Sequence, residues 1–115
     1  MSDQELPQAN RKLMQFDNGT AIGTGQLWQD GQYCSILTRR GIVGCGIYDL
    51  QTAAEFGQAI AIAKGTPAIP LVTPEDLLEA KIVGVTPQAA ALGIAVGCTG
   101  REAVEAMLAA DRRDD

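Results

Sequence analysis

The chain has 115 residues, enough for one domain with a single hydrophobic core. Its 9 basic and 14 acidic residues give a net charge of −5, and only 4% of residues are aromatic. A nucleic-acid-binding protein needs a positively charged surface for phosphates and exposed aromatic rings for base stacking, so these values argue against that class of protein. No apolar run approaches a membrane span, and the acidic start is not a signal peptide. We therefore expect a cytoplasmic protein without nucleic-acid or membrane partners.

The cysteine count and the absence of histidine limit metal and disulfide chemistry. Cys34, Cys45 and Cys98 cannot all pair within one chain, and an odd count without a secretory signal favours reduced thiols. Their spacings of 11 and 53 residues match no common zinc pattern. We therefore expect neither a metal site nor a cofactor.

The first half of the chain predicts an antiparallel meander. Residues 1–10 are polar and are expected to form a disordered arm, followed by one domain over residues 11–110. Turn signals at residues 17–19, 30–31 and 39–41 separate four predicted strands. Such short turns join neighbouring antiparallel strands. The predicted strands cover residues 12–16, 20–28, 32–38 and 42–48.

A helix is predicted over residues 50–64. Thr52 and Glu55 offer a capping box at its start, Asp49 is an alternative N-cap, and Gly65 fits the position after its end. A face of small residues would allow this helix to pack closely on a sheet.

The second half alternates apolar runs with helix starts. Thr73, Thr86 and Thr99 are each thirteen residues apart, and each follows an apolar run, at residues 68–72, 82–85 and 94–96. Each threonine is a good N-cap, and a proline follows the first two at the favoured first helical position. The last segment, 111–115, is charged and expected to fray. The whole pattern predicts an α+β fold, in which a mixed sheet with an N-terminal antiparallel meander is followed by short βα units.

Residues 97–101 are the candidate ligand-binding segment: Gly97, Cys98, Thr99, Gly100 and Arg101. Thr99 begins a helix, and the flanking glycines would leave backbone amides uncovered at its N-terminus, where an anion is favoured. Cys98 precedes the helix, a position that lowers the pKa of a thiol.

Arg101 lies in the first turn of the same helix, where the helix dipole disfavours a cation. A bound carboxylate or phosphate would explain it. The alternative is a solvated surface residue near Glu105. Glu102, three residues after Thr99, completes a predicted capping box whether or not an anion binds.

Cys45 and Asp49 are the candidate catalytic residues. If Cys45 were exposed beside the helix start at Thr99, positive potential would lower its pKa and make it a nucleophile. Arg101 would stabilise an oxyanion, and Asp49 would orient a substrate or act as a weak base. The chain has no histidine to serve as the base, and the alternative is a buried, inert Cys45.

Four groups of residues stand out in combination: Gly44-Cys45-Gly46 with Asp49, Val72-Thr73 with Asp76-Leu77-Leu78, Leu92-Gly93-Ile94, and Gly97-Cys98-Thr99-Gly100-Arg101-Glu102-Ala103. Together they resemble the YunC-like family of small prokaryotic proteins, a domain of unknown function. The resemblance covers roughly residues 20–108. It implies an α+β domain with a mixed sheet and no established activity or cofactor.

Two places depart from the family pattern. Cys98 stands where relatives often carry Met, so Cys45 is the thiol that the shared motif supports. Pro67 and Pro70 stand where relatives often carry a Gly-Arg pair.

Three functions are compatible with these residues. The first is a small-ligand or anion-binding domain that forms a homo-oligomer and uses residues 97–101. The second is a structural or regulatory interaction protein that is itself homo-oligomeric. The third is a cysteine-dependent enzyme acting on a small metabolite through Cys45. The sequence leaves the choice between binding protein and enzyme open.

Overall fold

The computed structural model describes residues 6–113, with side chains up to Asp111. The elements, in chain order, are β1 (Gln8–Phe16), β2 (Gly19–Trp28), β3 (Gly31–Leu37), β4 (Ile42–Cys45), α1 (Leu50–Glu55), β5 (Ile60–Ala63), α2 (Pro74–Glu79), β6 (Ile82–Val85), α3 (Pro87–Ala91) and α4 (Gly100–Arg113).

The strands form one six-stranded sheet whose spatial order is the chain order, β1 to β6. All neighbouring strands are antiparallel except β4 and β5, which run parallel because α1 carries the chain back between them. The predicted α+β class, with a mixed sheet and an N-terminal meander followed by short helices, is confirmed.

Two helices, α2 and α4, cover one face of the sheet. Side chains of a strand alternate between faces, so Cys34 and Ile36, both 0% exposed, point to the same side. From the helices, Leu77, Val104 and Met107 fill the space above them and are also fully buried. Their removal from water supplies the main stabilisation of the fold.

The β1–β2 turn is held down by a side chain from α4. The carboxylate of Glu105 accepts hydrogen bonds from the backbone amides of Asp17 (3.1 Å) and Asn18 (3.0 Å). The side-chain amide of Asn18 also donates to the carbonyl of Glu105, at 3.2 Å. The N-terminal hairpin is therefore tied to the C-terminal helix rather than projecting freely.

The predicted helix over residues 50–64 is wrong in its second half. Helix α1 ends at Glu55, and Gly57 turns the chain with a φ of 72°. Residues Ile60–Ala63 then form β5, paired to β4 on one side and β6 on the other. Two sets of backbone hydrogen bonds and nearly complete burial of this strand outweigh the helical preference of its alanines.

The ends of several elements also differ from the prediction. Strand β1 starts at Gln8, so residues 8–10 of the predicted arm pair with β2, and residues 1–5 of that arm lie outside the described part. Strand β4 ends at Cys45 instead of residue 48. Helix α4 continues to Arg113, beyond the predicted boundary at 110, and residues 114–115 are also outside the described part.

The three predicted helix starts are confirmed. Thr73 and Thr86 are the N-caps of α2 and α3, each followed by proline, and Thr99 precedes α4.

Of the three apolar runs before these threonines, only residues 82–85 form a strand in the described structure. Pro67 and Pro70 restrict the first run, because proline lacks a backbone donor. Residues 97–99, directly after the third run, meet the start of β6 through backbone hydrogen bonds with Ile82 and an isolated bridge between Lys81 and Thr99.

Within residues 6–113, no helix is long and apolar enough to cross a membrane. The same residues contain no group of three or more Cys, Asp or Glu side chains placed to hold a metal ion.

Candidate functional site

The predicted capping box at the start of α4 is present. The Thr99 hydroxyl accepts from the amide of Glu102 at 3.1 Å, and the Glu102 carboxylate accepts from the amide of Thr99 at 3.0 Å. Both ends of the box therefore use groups that an anion would otherwise contact.

Three other amides of this segment, those of Gly97, Cys98 and Gly100, are also bonded, so the prediction that the flanking glycines leave the amides of the turn uncovered is wrong. The preceding loop lies against β6 and the end of α2, and its amides bond to backbone carbonyls there or within the loop. These bonds run from Gly97 to Ile82 (2.8 Å), from Cys98 to Ala95 (3.2 Å) and from Gly100 to Ala80 (2.9 Å). Arg101 is then the main group in residues 97–101 with which an anion could interact.

Arg101 has an interaction partner within the chain. Its guanidinium carbon lies 6.0 Å from the centroid of the Phe16 ring, within the range of a cation–π contact. Glu105, the neighbour expected from sequence, instead binds the amides of the β1–β2 turn. The ring of Phe16 thus offers a reason for a cation at this helix start without any bound anion.

Cys98 does not have the thiol environment predicted for it. Burial raises its pKa, and the carboxylate of Glu102 acts in the same direction, although backbone hydrogen bonds oppose both. The pKa of Cys98 is therefore shifted upward, which is opposite to the lowering predicted from the helix start.

Asp49 caps helix α1, as the alternative prediction held. Its carboxylate accepts from the hydroxyl of Thr52 at 2.6 Å and from the amide of Gln51 at 3.1 Å. The Thr52 bonds, followed by the Gln51 bond, lower the pKa of Asp49. A carboxylate made less basic and already bonded to its own helix is poorly suited to act as a base.

Cys45 lies far from Arg101. Across the sheet, Cys45 at the end of β4 is level with Cys34 of β3. Cys34 pairs with Gly25 of β2, and Gly25 pairs with Asn10 of β1. Phe16, whose ring contacts the guanidinium of Arg101, lies six residues beyond Asn10 along β1. At the usual rise of a strand this is a distance of about 20 Å. The structure thus does not bring together the predicted nucleophile and its oxyanion partner.

Cys45 does line a cleft. Cys45 is the last residue of β4, and β5 ends at Ala63, two residues before Gly65. The carboxyl ends of the described parallel strands therefore lie side by side at this cleft. The cleft has a volume of about 280 Å³ and also contacts Gln32, Thr66, Leu71 and two prolines. In open sheets, the carboxyl ends of parallel strands are where ligands bind.

A second hollow of about 240 Å³ shares Gly65, Thr66 and Leu71 with the first. Its rim carries four charged side chains: Lys64, Asp76, Glu79 and Lys81. The carboxylate of Asp76 accepts from the amides of Thr73 and Val72, both at 3.0 Å, and these bonds lower its pKa. We call the two hollows together, on either side of residues 64–71, the β4–β5 cleft.

Sequence reasoning named Cys45 but missed the rest of this cleft. The prediction placed residues 60–63 in a helix, which hid the second strand of the parallel pair. The signal that could have revealed the strand is Gly57, a helix-ending residue followed by the apolar run IAIA.

The opposite face of the sheet carries an apolar row. Register pairs align five aliphatic residues across five strands: Leu13, Ile22, Leu37, Ile42 and Ile60. At one end of this row, Ile60 of β5 is only 2% exposed, and at the other end, Leu13 of the edge strand β1 is 67% exposed.

On the same face, Tyr48 covers Gly44, where an added Cβ would lie 2.3 Å from its ring. We call the part of this face on β1 to β3 the open sheet face.

These features define a small α+β domain with a cleft at a parallel strand pair and a partly uncovered sheet face. A family model described as "Domain of unknown function (DUF1805)" matches residues 44–107, more than half of the chain. The chain belongs to this family, which confirms the resemblance to the YunC-like proteins.

A protein of unknown function from Thermoplasma acidophilum has a similar crystal structure. The TM-score is 0.78 and the sequence identity 18%, and the match covers 88% of this chain and 94% of that chain. At this identity the similarity concerns the fold alone. No curated protein matches the sequence.

Proposed function

We propose that this protein is a small-ligand-binding domain and that its ligand occupies the β4–β5 cleft. The observation that carries the proposal is the position of the cleft, at the carboxyl ends of the described parallel strands. Cys45 at the end of β4 and residues 65–66 after β5 line the same hollow.

The charges around the second hollow favour a polar ligand. Lys64 and Lys81 bring two ammonium groups to the rim, beside the carboxylates of Asp76 and Glu79. Because Asp76 already accepts two amide hydrogen bonds, the lysines are the better candidates to hold an acidic group of the ligand. An anion at residues 97–101 has less support, since the amides of residues 97–100 are bonded within the chain.

Native mass spectrometry of protein purified without added ligand tests this proposal. We expect a discrete extra mass on the folded chain. Gln32→Trp should remove it, because Gln32 is an exposed strand residue at the rim and a bulky ring there closes the cleft. Gln15→Trp is the matched control, since Gln15 is also exposed on a strand but lies away from the cleft.

A screen of metabolites against the alkylation rate of Cys45 gives an independent result. A bound ligand should slow alkylation of Cys45 and leave that of Cys98 unchanged. If no extra mass is found and no metabolite in the screen protects Cys45, the binding proposal is wrong.

We further infer that the open sheet face makes the protein a homo-oligomer. The apolar row continues from the covered half of the sheet onto strands β1 to β3, where it loses its cover. β1 is also an edge strand of nine residues, with backbone groups on one side that have no strand partner among the described residues. A second copy would bury both features.

Sedimentation velocity over a range of concentrations measures this association. We expect the wild type to sediment as an oligomer and Leu13→Glu to shift it towards the monomer, because the charge would be buried at the contact. Val96→Glu is the control, since Val96 is similarly exposed, at 61%, but lies in the turn before α4. A monomeric wild type, or equal effects of both variants, would refute the inference.

A further inference from the structure

Strands β3 and β4 place two cysteines opposite one another. The register pairs Ile36 with Val43 and Ser35 with Gly44, so the next pair along both strands is Cys34 and Cys45. Because side chains alternate between faces, both thiols lie on the face that α2 and α4 cover. Cys34 belongs to the buried core, and Cys45 packs against that core from its edge.

The two thiols differ in access. Cys34 is 0% exposed, whereas Cys45 is half-buried and lines the β4–β5 cleft. Burial, followed by the nearby Cys45 and Asp76, raises the pKa of Cys34 to about 12, and a hydrogen bond between the two thiols adds to this rise. A solute that enters the cleft therefore meets Cys45 first, and the protonated Cys34 lies beside Cys45 on the neighbouring strand β3.

We propose that Cys34 and Cys45 form a redox-active dithiol, which an oxidant of the peroxide class entering the cleft converts reversibly to a disulfide. The proposal assigns a modification site to these residues and does not depend on a ligand in the cleft. Cys34, Cys45 and Cys98 are all free cysteines in this structure.

The oxidation has two steps. The Cys45 thiolate attacks one oxygen of hydrogen peroxide, the O–O bond breaks, and hydroxide leaves, taking up the proton that Cys45 released. Cys45 becomes a sulfenic acid, and the peroxide is reduced by two electrons. The sulfur of Cys34 then attacks the sulfenic sulfur. The S–S bond forms, the S–O bond breaks, and the oxygen departs as water with the Cys34 proton. In sum, one dithiol and one peroxide give one disulfide and two waters.

The register also predicts that the disulfide is easily reduced. The amide of Thr38 donates to the carbonyl of Gly41 at 2.9 Å, and hydrogen-bonded pairs alternate along an antiparallel ladder, so Cys34 and Cys45 form such a pair. Its Cα atoms are about 5.5 Å apart, within the range that a disulfide spans. Its Cβ atoms, at about 5 Å, are further apart than the mean of about 3.8 Å in disulfides. The bond would therefore be strained and readily reduced.

Peptide mapping after oxidation tests the proposal. The reduced, folded protein is treated with one equivalent of hydrogen peroxide, denatured, alkylated with iodoacetamide and digested with trypsin. Trypsin cuts at Arg39 and Arg40, which places the two cysteines on the separate peptides 13–39 and 41–64. We expect these peptides to be linked in the wild type, with Cys98 alkylated, and to separate again after dithiothreitol is added to the folded protein.

Three variants sharpen the result. Cys98→Ser keeps both thiols of the proposed pair and should still form the link. Cys45→Ser should form none. Cys34→Ala should stop at the sulfenic acid, which dimedone traps on Cys45. The wild type and Cys98→Ser decide the question even if Cys34→Ala does not fold. If all three thiols stay open to iodoacetamide, or if Cys45 passes to the sulfinic acid as fast in the wild type as in Cys34→Ala, the dithiol proposal is wrong.

Discussion

We expect Thr86→Val to lower the free energy of unfolding by about 4 kcal/mol, since it leaves two buried amides and one partly buried carbonyl without their partner. The Thr86 side chain is 1% exposed and joins two elements. Its hydroxyl donates to the carbonyl of Gln58 at 2.8 Å, and it accepts from the amides of Ile60 at 3.1 Å and Ala89 at 3.2 Å. One hydroxyl thereby caps α3 and holds the start of β5. Valine has nearly the same shape but can make none of these bonds.

Urea unfolding of matched variants measures the effect. Thr86→Ser keeps the hydroxyl and removes only a methyl group, so we expect a loss of about 1 kcal/mol. Thr73→Val removes a hydroxyl that caps α2 at an exposed position, and it should also cost about 1 kcal/mol. The same loss from Thr86→Val as from Thr86→Ser would show that the buried bonds contribute little. Amide exchange at Ile60 should speed up in the valine variant alone.

The second large effect is expected from Gly100→Ala, with a loss of stability of about 3 kcal/mol. Gly100 is the first residue of α4, and a Cβ added to it would lie 1.8 Å from the carbonyl oxygen of Leu77 in α2. That oxygen belongs to the backbone of a packed helix and cannot move aside independently. The two helices would have to separate above the buried side chains that they share. This clash outweighs the better helix propensity of alanine, worth about 1 kcal/mol.

Gly46→Ala is the control for Gly100→Ala. A Cβ at Gly46 would meet its nearest neighbour, the Cγ of Lys64, at 3.7 Å, which is an ordinary contact. We expect the free energy of unfolding of Gly46→Ala to differ from that of the wild type by less than about 0.5 kcal/mol. If Gly100→Ala unfolds at the same urea concentration as this control, then α2 and α4 are not packed as closely as described. In the family motif, Gly100 would thus serve helix packing instead of an anion site.

The candidate site shows what a sequence can and cannot supply. Cys45 could be chosen from its place between two glycines near a strand end, and Asp49 could be named as a cap from its spacing to the helix. The anion site at residues 97–101 could not be tested in the same way. Whether an amide is uncovered depends on carbonyls such as that of Ile82, which only the folded chain brings close.

Arg101 illustrates the same difference. A cation in the first turn of a helix is unfavourable when only local electrostatics are considered, and a bound anion is then the natural explanation. The folded chain brings the ring of Phe16, from the first strand, to a distance of 6.0 Å. No pattern around Arg101 carries information about that ring.

By itself, the sequence determined the features that depend on residues within one or two turns of each other. Thr73, Thr86 and Thr99 begin helices because each hydroxyl accepts from the amide three residues ahead, and the tight turns between β1 and β4 set up the meander. The tertiary structure alone decided that residues 60–63 form an inner strand, since hydrogen bonds to β4 and β6 stabilise that conformation. Through that strand it also decided where the cleft lies, because neighbouring strands, not neighbouring residues, bring the lining of the cleft together.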